Sequence, residues 1–271
     1  MSSTKISQKF RQKKSFKLAD RDAANKPLSS GDKAADKLSV EVITTAIAHQ
    51  QDMFYAEQKR KLLIVLQGMD TSGKDGVLNG VCGKLNPLGL RAYAFKAPTS
   101  TERARDFLWR VHQQVPAQGE MVVFNRSHYE DVLITHVHGW IDDAERERRF
   151  AQIRDFERML TETGTVILKF FLHISADEQK NRLEERLTNP DKQWKFDPQD
   201  LDERKLWLRY QQAYQTAIRQ TDADHAPWFV IPADSKTQRN LAISSIVLEH
   251  LQLMKLAYPA AKPELAGLKI D

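Results

Sequence analysis

The chain has 271 residues, 41% apolar and 28% charged, with 41 Lys and Arg against 36 Asp and Glu for a net charge of +5. That is enough apolar matter for one large domain or two small ones. The mild basic excess favours an anionic partner, whether nucleic acid, acidic lipid or phosphorylated small molecule. One cysteine, Cys82, rules out an intrachain disulfide framework, and no apolar run approaches the roughly 18 residues of a membrane span. A cytoplasmic, enzyme-sized protein without a membrane anchor is expected.

Residues 1–38 show little periodicity and carry the basic stretch KFRQKKSFK (9–17). This reads as an extended basic arm that either grips a polyanion or lies solvated or loosely packed on its own protein. From residue 39 helix and strand patterns alternate. Val40, Ile43, Ile47 and Phe54 recur at helical spacing over 39–60, and KLLIVLQ (61–67) fits a strand buried on both faces. A helix runs to about Leu85, before Asn86-Pro87. LRAYAFK (90–96) is the next strand, and Thr99 or Ser100 caps a helix to about Gln114. EMVVFN (120–125) is the third strand. A charged helix over 142–162 ends at Gly164 and leads into TVILKFFLH (165–173), the fourth. Ser175 caps a helix to about 188, NPDKQWKFDP (189–198) reads as a polar loop, and a helix spans 200–220. WFVIP (228–232) is the last strand, followed by a helix to about 255. Such alternation predicts a parallel α/β sheet covered by helices on both faces.

Between the first strand and its helix stands GMDTSGKDG (68–76). Gly68, four residues, Gly73 and Lys74 have the spacing of a phosphate-cradling loop, in which backbone N–H groups and a helix N-terminus converge on phosphate oxygens. The ordinary motif continues with Ser or Thr, whose hydroxyl holds Mg²⁺. Asp75 stands there instead, and Asp70 lies inside the loop. Two carboxylates beside phosphate are unfavourable unless a hard cation bridges them, so the departure predicts a metal-dependent phosphate site.

FNRSHYED (124–131) follows an apolar strand, where such proteins place a second metal-handling residue, usually Asp. Asn125 occupies that position, and Glu130 or Asp131 either compensates or simply opens the next helix. Arg126 suits charge stabilisation at the phosphates or a surface salt bridge. Arg182 and Arg186 share one helix face before the 189–198 loop, which carries Lys192 and Lys195. Together they form either a mobile cationic lid or a solvated charged face, since Glu184 and Glu185 are interleaved. His136 and His138 lack a neighbouring ligand cluster and read as structural. Trp109, Trp140, Trp194, Trp207 and Trp228 read as core or lid packing.

GMDTSGKDG, KAPTSTERARDFLWRVH (96–112), FNRSHYEDVL (124–133) and RLEERLTNPDKQWKF (182–196) resemble the polyphosphate kinase 2 family. The likeness covers most of residues 40–255 in order. SHYED and the lid resemble the branch accepting nucleoside mono- as well as diphosphates. Thr101 and Ala104 depart from that branch, where acidic and His residues are expected. The resemblance implies an α/β, P-loop kinase-like three-layer sandwich with a mainly five-stranded parallel sheet, helices on both faces and a helical lid at about 176–210. The phosphotransferase domain is then 39–258 and the C-terminal tail 259–271. The implied activity is reversible transfer of a terminal phosphoryl group from inorganic polyphosphate to AMP or ADP, or to GMP or GDP, with Mg²⁺ or Mn²⁺.

By the same resemblance Asp70 is the principal metal ligand, with Asp75 the family-specific carboxylate. Lys74 is the phosphate lysine, and Gly68, Thr71, Ser72 and Gly73 complete the cradle. Arg126, Arg182 and Arg186 grip phosphoryl groups, and Lys192 and Lys195 close the lid. Arg110, Asn125 and Asp131 face the nucleotide. Homodimers or homotetramers are implied, and no nucleic-acid partner. The competing expectations are an ATP-dependent nucleoside or nucleotide kinase of the same fold and a non-catalytic polyphosphate-binding module. Ser or Thr after Lys74 would favour the first; loss of Lys74 or Asp70 would favour the second.

Overall fold

The computed structural model describes residues 5–12, 16–265 and 270. They form a parallel sheet of β1 (Lys61–Gln67), β2 (Leu90–Ala94), β3 (Met121–Asn125), β4 (Thr165–His173) and β5 (Trp228–Pro232), in the spatial order β2-β3-β1-β4-β5. The buried strands read as near-continuous apolar runs because each face packs its own layer. Leu62, Ile64 and Leu66 of β1 join one core with Ile47, Phe54 and Ile243, whereas Leu63 and Val65 join the other with Phe150, Ile153 and Ile218. α1 (Lys33–Glu57), α2 (Lys74–Val81) and α11 (Lys236–Leu253) cover the first face. α6 (Asp143–Glu162) and α10 (Trp207–Thr221) cover the second. No described helix is long and apolar enough to cross a membrane.

Several boundaries differ from the sequence-based expectation. α1 begins six residues before position 39, because the Asp32 side chain accepts from the N–H groups of Ala34 and Ala35. α2 ends at Val81 and β2 at Ala94, short of the expected Leu85 and 96. The helix expected to about Gln114 is two short pieces, α3 (Ser100–Arg103) and α4 (Trp109–His112). A capping box between Thr99 and Glu102 starts the first. A short α5 (Ile134–Val137) follows the SHYED turn. In the lid, α7 (Ala176–Thr188) is followed by α8 (Pro190–Gln193) inside the expected loop, and α9 (Gln199–Lys205) is separated from α10 at Leu206.

The basic arm is docked rather than extended where it is described. Phe10 is buried in the core, and residues 10–12 lie antiparallel along the outer edge of β5. Gln12 N–H donates to the Trp228 carbonyl at 3.1 Å and Val230 N–H to the Phe10 carbonyl at 2.9 Å. Covering a sheet edge in this way satisfies its backbone groups. Lys13, Lys14 and Ser15 of the KFRQKKSFK stretch, and residues 266–269 and 271 of the tail, lie outside the described residues.

Candidate active site at the carboxyl ends of β1 and β3

β1 and β3 are hydrogen-bonded neighbours with Leu66 opposite Asn125, so GMDTSGKD and FNRSHYED emerge side by side. The loop turns tightly under β4: a Cβ on Gly68 would lie 2.8 Å from the Leu172 carbonyl oxygen. Gly73 sits at φ +98°, where any side chain would also collide with the Arg239 guanidinium. Thr71 and Arg126 both adopt φ +63°, sparsely populated for non-glycine residues and concentrated in proteins at functional sites.

Lys74 Nζ donates to the carbonyls of Gly68 (2.7 Å) and Met69 (3.3 Å). The side chains of Thr71 and Ser72 are buried in the loop with hydroxyls that meet no hydrogen-bond partner among the described residues. Asp70 Oδ1 accepts from Arg126 Nη2 at 2.9 Å. Asp75 bridges two elements, accepting from Asn125 Nδ2 at 2.8 Å and lying 3.4 Å from the lid's Lys195 Nζ. Partial burial raises the Asp75 pKa, but Asn125 and Lys195 outweigh it and hold the carboxyl below its usual range. Asn125 therefore orients a carboxylate. Burial pushes Glu130 up, against the pull of the Arg126 and Lys74 cations.

Asp70, Arg126 and Glu130 form one end of a cavity of about 900 Å³. Phe107, Ile141 and Arg149 line it further out. Its wall includes the buried pair Arg110–Asp131, 3.1 Å apart, with Arg110 also donating to the Lys96 carbonyl at 2.8 Å.

A charged network fixes the SHYED turn from beneath. Lys169 occupies an inward position of β4, fully buried, and spends its three N–H donors on Glu157 (2.5 Å), Tyr129 Oη (2.9 Å) and the Thr221 carbonyl (2.8 Å). Glu157 also accepts from Tyr129 Oη at 2.8 Å and lies 3.2 Å from His128 Nε2. Burial pushes Glu157 up, while Lys169 and His128 pull harder and hold it ionised. His128 and Tyr129 of this network lie in the FNRSHYED motif, but Lys169 and Glu157 carried no motif and are remote from it in the chain. Arg239, Asp200 and Glu203, which also stand near the loop or in the cavity wall, carried no motif at all.

Three lid cations lie elsewhere than expected. Arg182 spends all five N–H donors on the carbonyls of Thr71, Ser72, Ala233 and Asp234 and on Glu178. It clamps the loop to the end of β5 and has no donor left for phosphate. Arg186 Nη1 braces the lid through the Lys195 carbonyl and Asp200 Oδ2, each at 3.1 Å. Lys192 is paired with Glu185. None of the three lines the cavity. Trp228 is core and Trp207 packs between layers, whereas Trp140 and Trp194 are 67% and 78% exposed, Trp140 stacking on His138 at the cavity rim. His136 pairs with Asp143, and His138 ties α5 to the lid through Glu203 at 3.0 Å.

Comparison with known proteins gives the geometry a lineage. Residues 30–259 match the family model for polyphosphate kinase 2. The AMP/ADP-polyphosphate phosphotransferase of Meiothermus ruber is 49% identical over 255 residues, covering 94% of this chain and 95% of that protein. The ADP-polyphosphate phosphotransferase of Rhodopseudomonas palustris is 39% identical over 225 residues, covering 79% and 78%. The crystal structure of polyphosphate kinase 2 from Arthrobacter aurescens superposes with a TM-score of 0.92 at 44% identity, covering 95% and 93%. With a phosphate loop carrying two carboxylates beside a cavity walled by Arg126 and Arg110, and with that match over most of its length, the chain belongs to the polyphosphate kinase 2 family.

Proposed function

We propose that the protein transfers the terminal phosphoryl group of inorganic polyphosphate to AMP or ADP, with the guanine nucleotides as further acceptors, directly and reversibly. The observation that carries the reading is the pairing of both loop carboxylates with cations, Asp70 with Arg126 in the cavity wall and Asp75 with the lid's Lys195. An acceptor phosphate entering past Arg126 meets a donor phosphate cradled by residues 71–74, and its oxygen is already nucleophilic. Positioning and charge neutralisation then do most of the catalytic work. Lys74 and Arg126 neutralise the transferring group, while Arg110 and Asp131 shape the nucleotide side. Asn125 and Lys195 hold Asp75 in place.

Among the described residues no cluster of three or more metal-ligating side chains occurs. Two carboxylates alone suit a hard cation that completes its shell with phosphate oxygens and water, so Asp70 and Asp75 fit Mg²⁺, or Mn²⁺ in its place. When bound, that ion supplies additional neutralisation of phosphate charge. Leu38 and Val42, one turn apart and solvent-facing on α1, favour a homodimer or homotetramer. A cytoplasmic location suits the buried free thiol of Cys82.

The test is nucleotide product formation from AMP or ADP, polyphosphate and Mg²⁺. Lys74→Ala is expected to lower kcat by at least about 10²-fold, the scale of losing one preorganised charge-stabilising donor. Absence of product with every acceptor, or undiminished turnover in the variant, would overturn the reading.

A further inference from the structure

Arg239, in the first turns of α11, is only 3% exposed. Its Nε and Nη2 both donate to the Asn240 side-chain oxygen, at 3.1 and 2.9 Å. Among the described residues no carboxylate pairs with it, and Nη1 has no acceptor. A buried cation with one amide for company is unfavourable unless a counter-charge arrives. Burial lowers its pKa to about 10, and the nearby Arg182 cation adds to the effect.

The guanidinium lies against the phosphate loop. A Cβ on Gly73 would collide with Nη1, and one on Gly76 would lie 2.7 Å from Nη2. These glycines thus open the start of α2 to a cation from α11. Direct transfer runs in line, with acceptor and leaving chain on opposite sides of the phosphoryl group. The cavity reaching Asp70, Arg126 and Glu130 is the acceptor side, and neither Gly73, Gly76 nor Arg239 lines it. In a phosphate loop the lysine reaches the terminal phosphates, and the N–H groups at the helix start hold those behind. The remaining donor chain therefore leaves past Gly73 and Gly76.

We propose that Arg239 is a donor-binding residue whose guanidinium takes a phosphate of the polyphosphate chain behind the transferred one. This rests on the polyphosphate reading of the loop. Lys236, one turn earlier and with its side chain 59% exposed, pairs with Glu185 at 3.6 Å.

The test compares wild type with Arg239→Met and Arg239→Lys. Binding of tripolyphosphate with Mg²⁺ is measured by calorimetry without nucleotide, alongside the KM values for polyphosphate and AMP. The Met variant is expected to bind tripolyphosphate about tenfold or more weakly and to raise the polyphosphate KM, with the AMP KM unchanged. The Lys variant keeps the charge without the planar fork and should lose about three- to tenfold. Wild-type tripolyphosphate affinity in the Met variant, or an equal rise in both KM values, would overturn the proposal. Should the Met variant fail to fold, unchanged affinity in the Lys variant overturns it equally. A wild type that turns polyphosphate over beside an unaffected variant refutes only the role of Arg239. A wild type that neither binds nor uses polyphosphate refutes the parent reading.

Discussion

Burial holds the Lys74 ammonium down to about 8, and the Arg126 cation pushes the same way. Between that value and the ordinary 10.5 the unfolded chain keeps a proton that the folded chain has released, so stability rises with pH across this window. Phosphate oxygens reaching Nζ favour the charged form and reverse the shift. Donor binding between about pH 8 and 9 should therefore take up protons at Lys74. Calorimetry of tripolyphosphate binding in buffers of different ionisation enthalpy measures this uptake. Lys74→Met should reduce it to the ligand's own contribution, and equal uptake in both proteins would sink the assignment. That Lys74, Asp70 and Asp75 share one loop between β1 and α2 was legible in the sequence, because the loop is written within nine consecutive residues. Arg239 and the Glu157–Lys169 pair were not, because each acquires its meaning from partners on another element.

At the scale of elements, the same signals that mark a turn can also start a helix. Asn189-Pro190 reads as the opening of a loop, yet the Asn189 side chain accepts from Asp191 N–H at 3.0 Å and Pro190 fills the first helical position of α8. Apolar spacing runs on through Leu206, which hid the break between α9 and α10. Those breaks make the lid a chain of short pieces whose position depends on side-chain ties. Arg186 supplies one, holding Lys195 and Asp200 with a single nitrogen, while Lys195 reaches Asp75. Arg186→Ala should free the 189–198 segment, seen as faster proteolytic cleavage there, and lower kcat/KM about tenfold, the scale of one charge-assisted hydrogen bond. Its melting midpoint should move little, since no core packing is lost. A fall in kcat/KM without faster cleavage would instead assign Arg186 to substrate.

For the whole molecule, the five strands and their parallel alternation with helices followed from apolar runs, whereas the spatial order β2-β3-β1-β4-β5, which sets the two motifs at adjacent strand ends, is visible only in the structure. The place of the N-terminal segment did not follow either, because its basic residues obscured the one side chain that decides its position. Phe10 enters the core beside Phe229, Ser7 donates to Glu249 at 2.6 Å, and Arg11 meets Asp222 at 2.9 Å. Removing residues 1–12 would empty the Phe10 site and expose the edge of β5. The loss of one buried aromatic is worth about 3 kcal/mol, or about 6–12 °C in a chain of this size. The uncovered edge should also promote association at high concentration. None of residues 5–12 lines the cavity, so turnover of the truncated protein at 25 °C should stay within about twofold of wild type. Thermal melting with parallel polyphosphate kinetics separates the two roles. An unchanged midpoint with a raised polyphosphate KM would make the segment a polyanion grip, whereas a lowered midpoint with unchanged kinetics makes it the closing strap of the sheet.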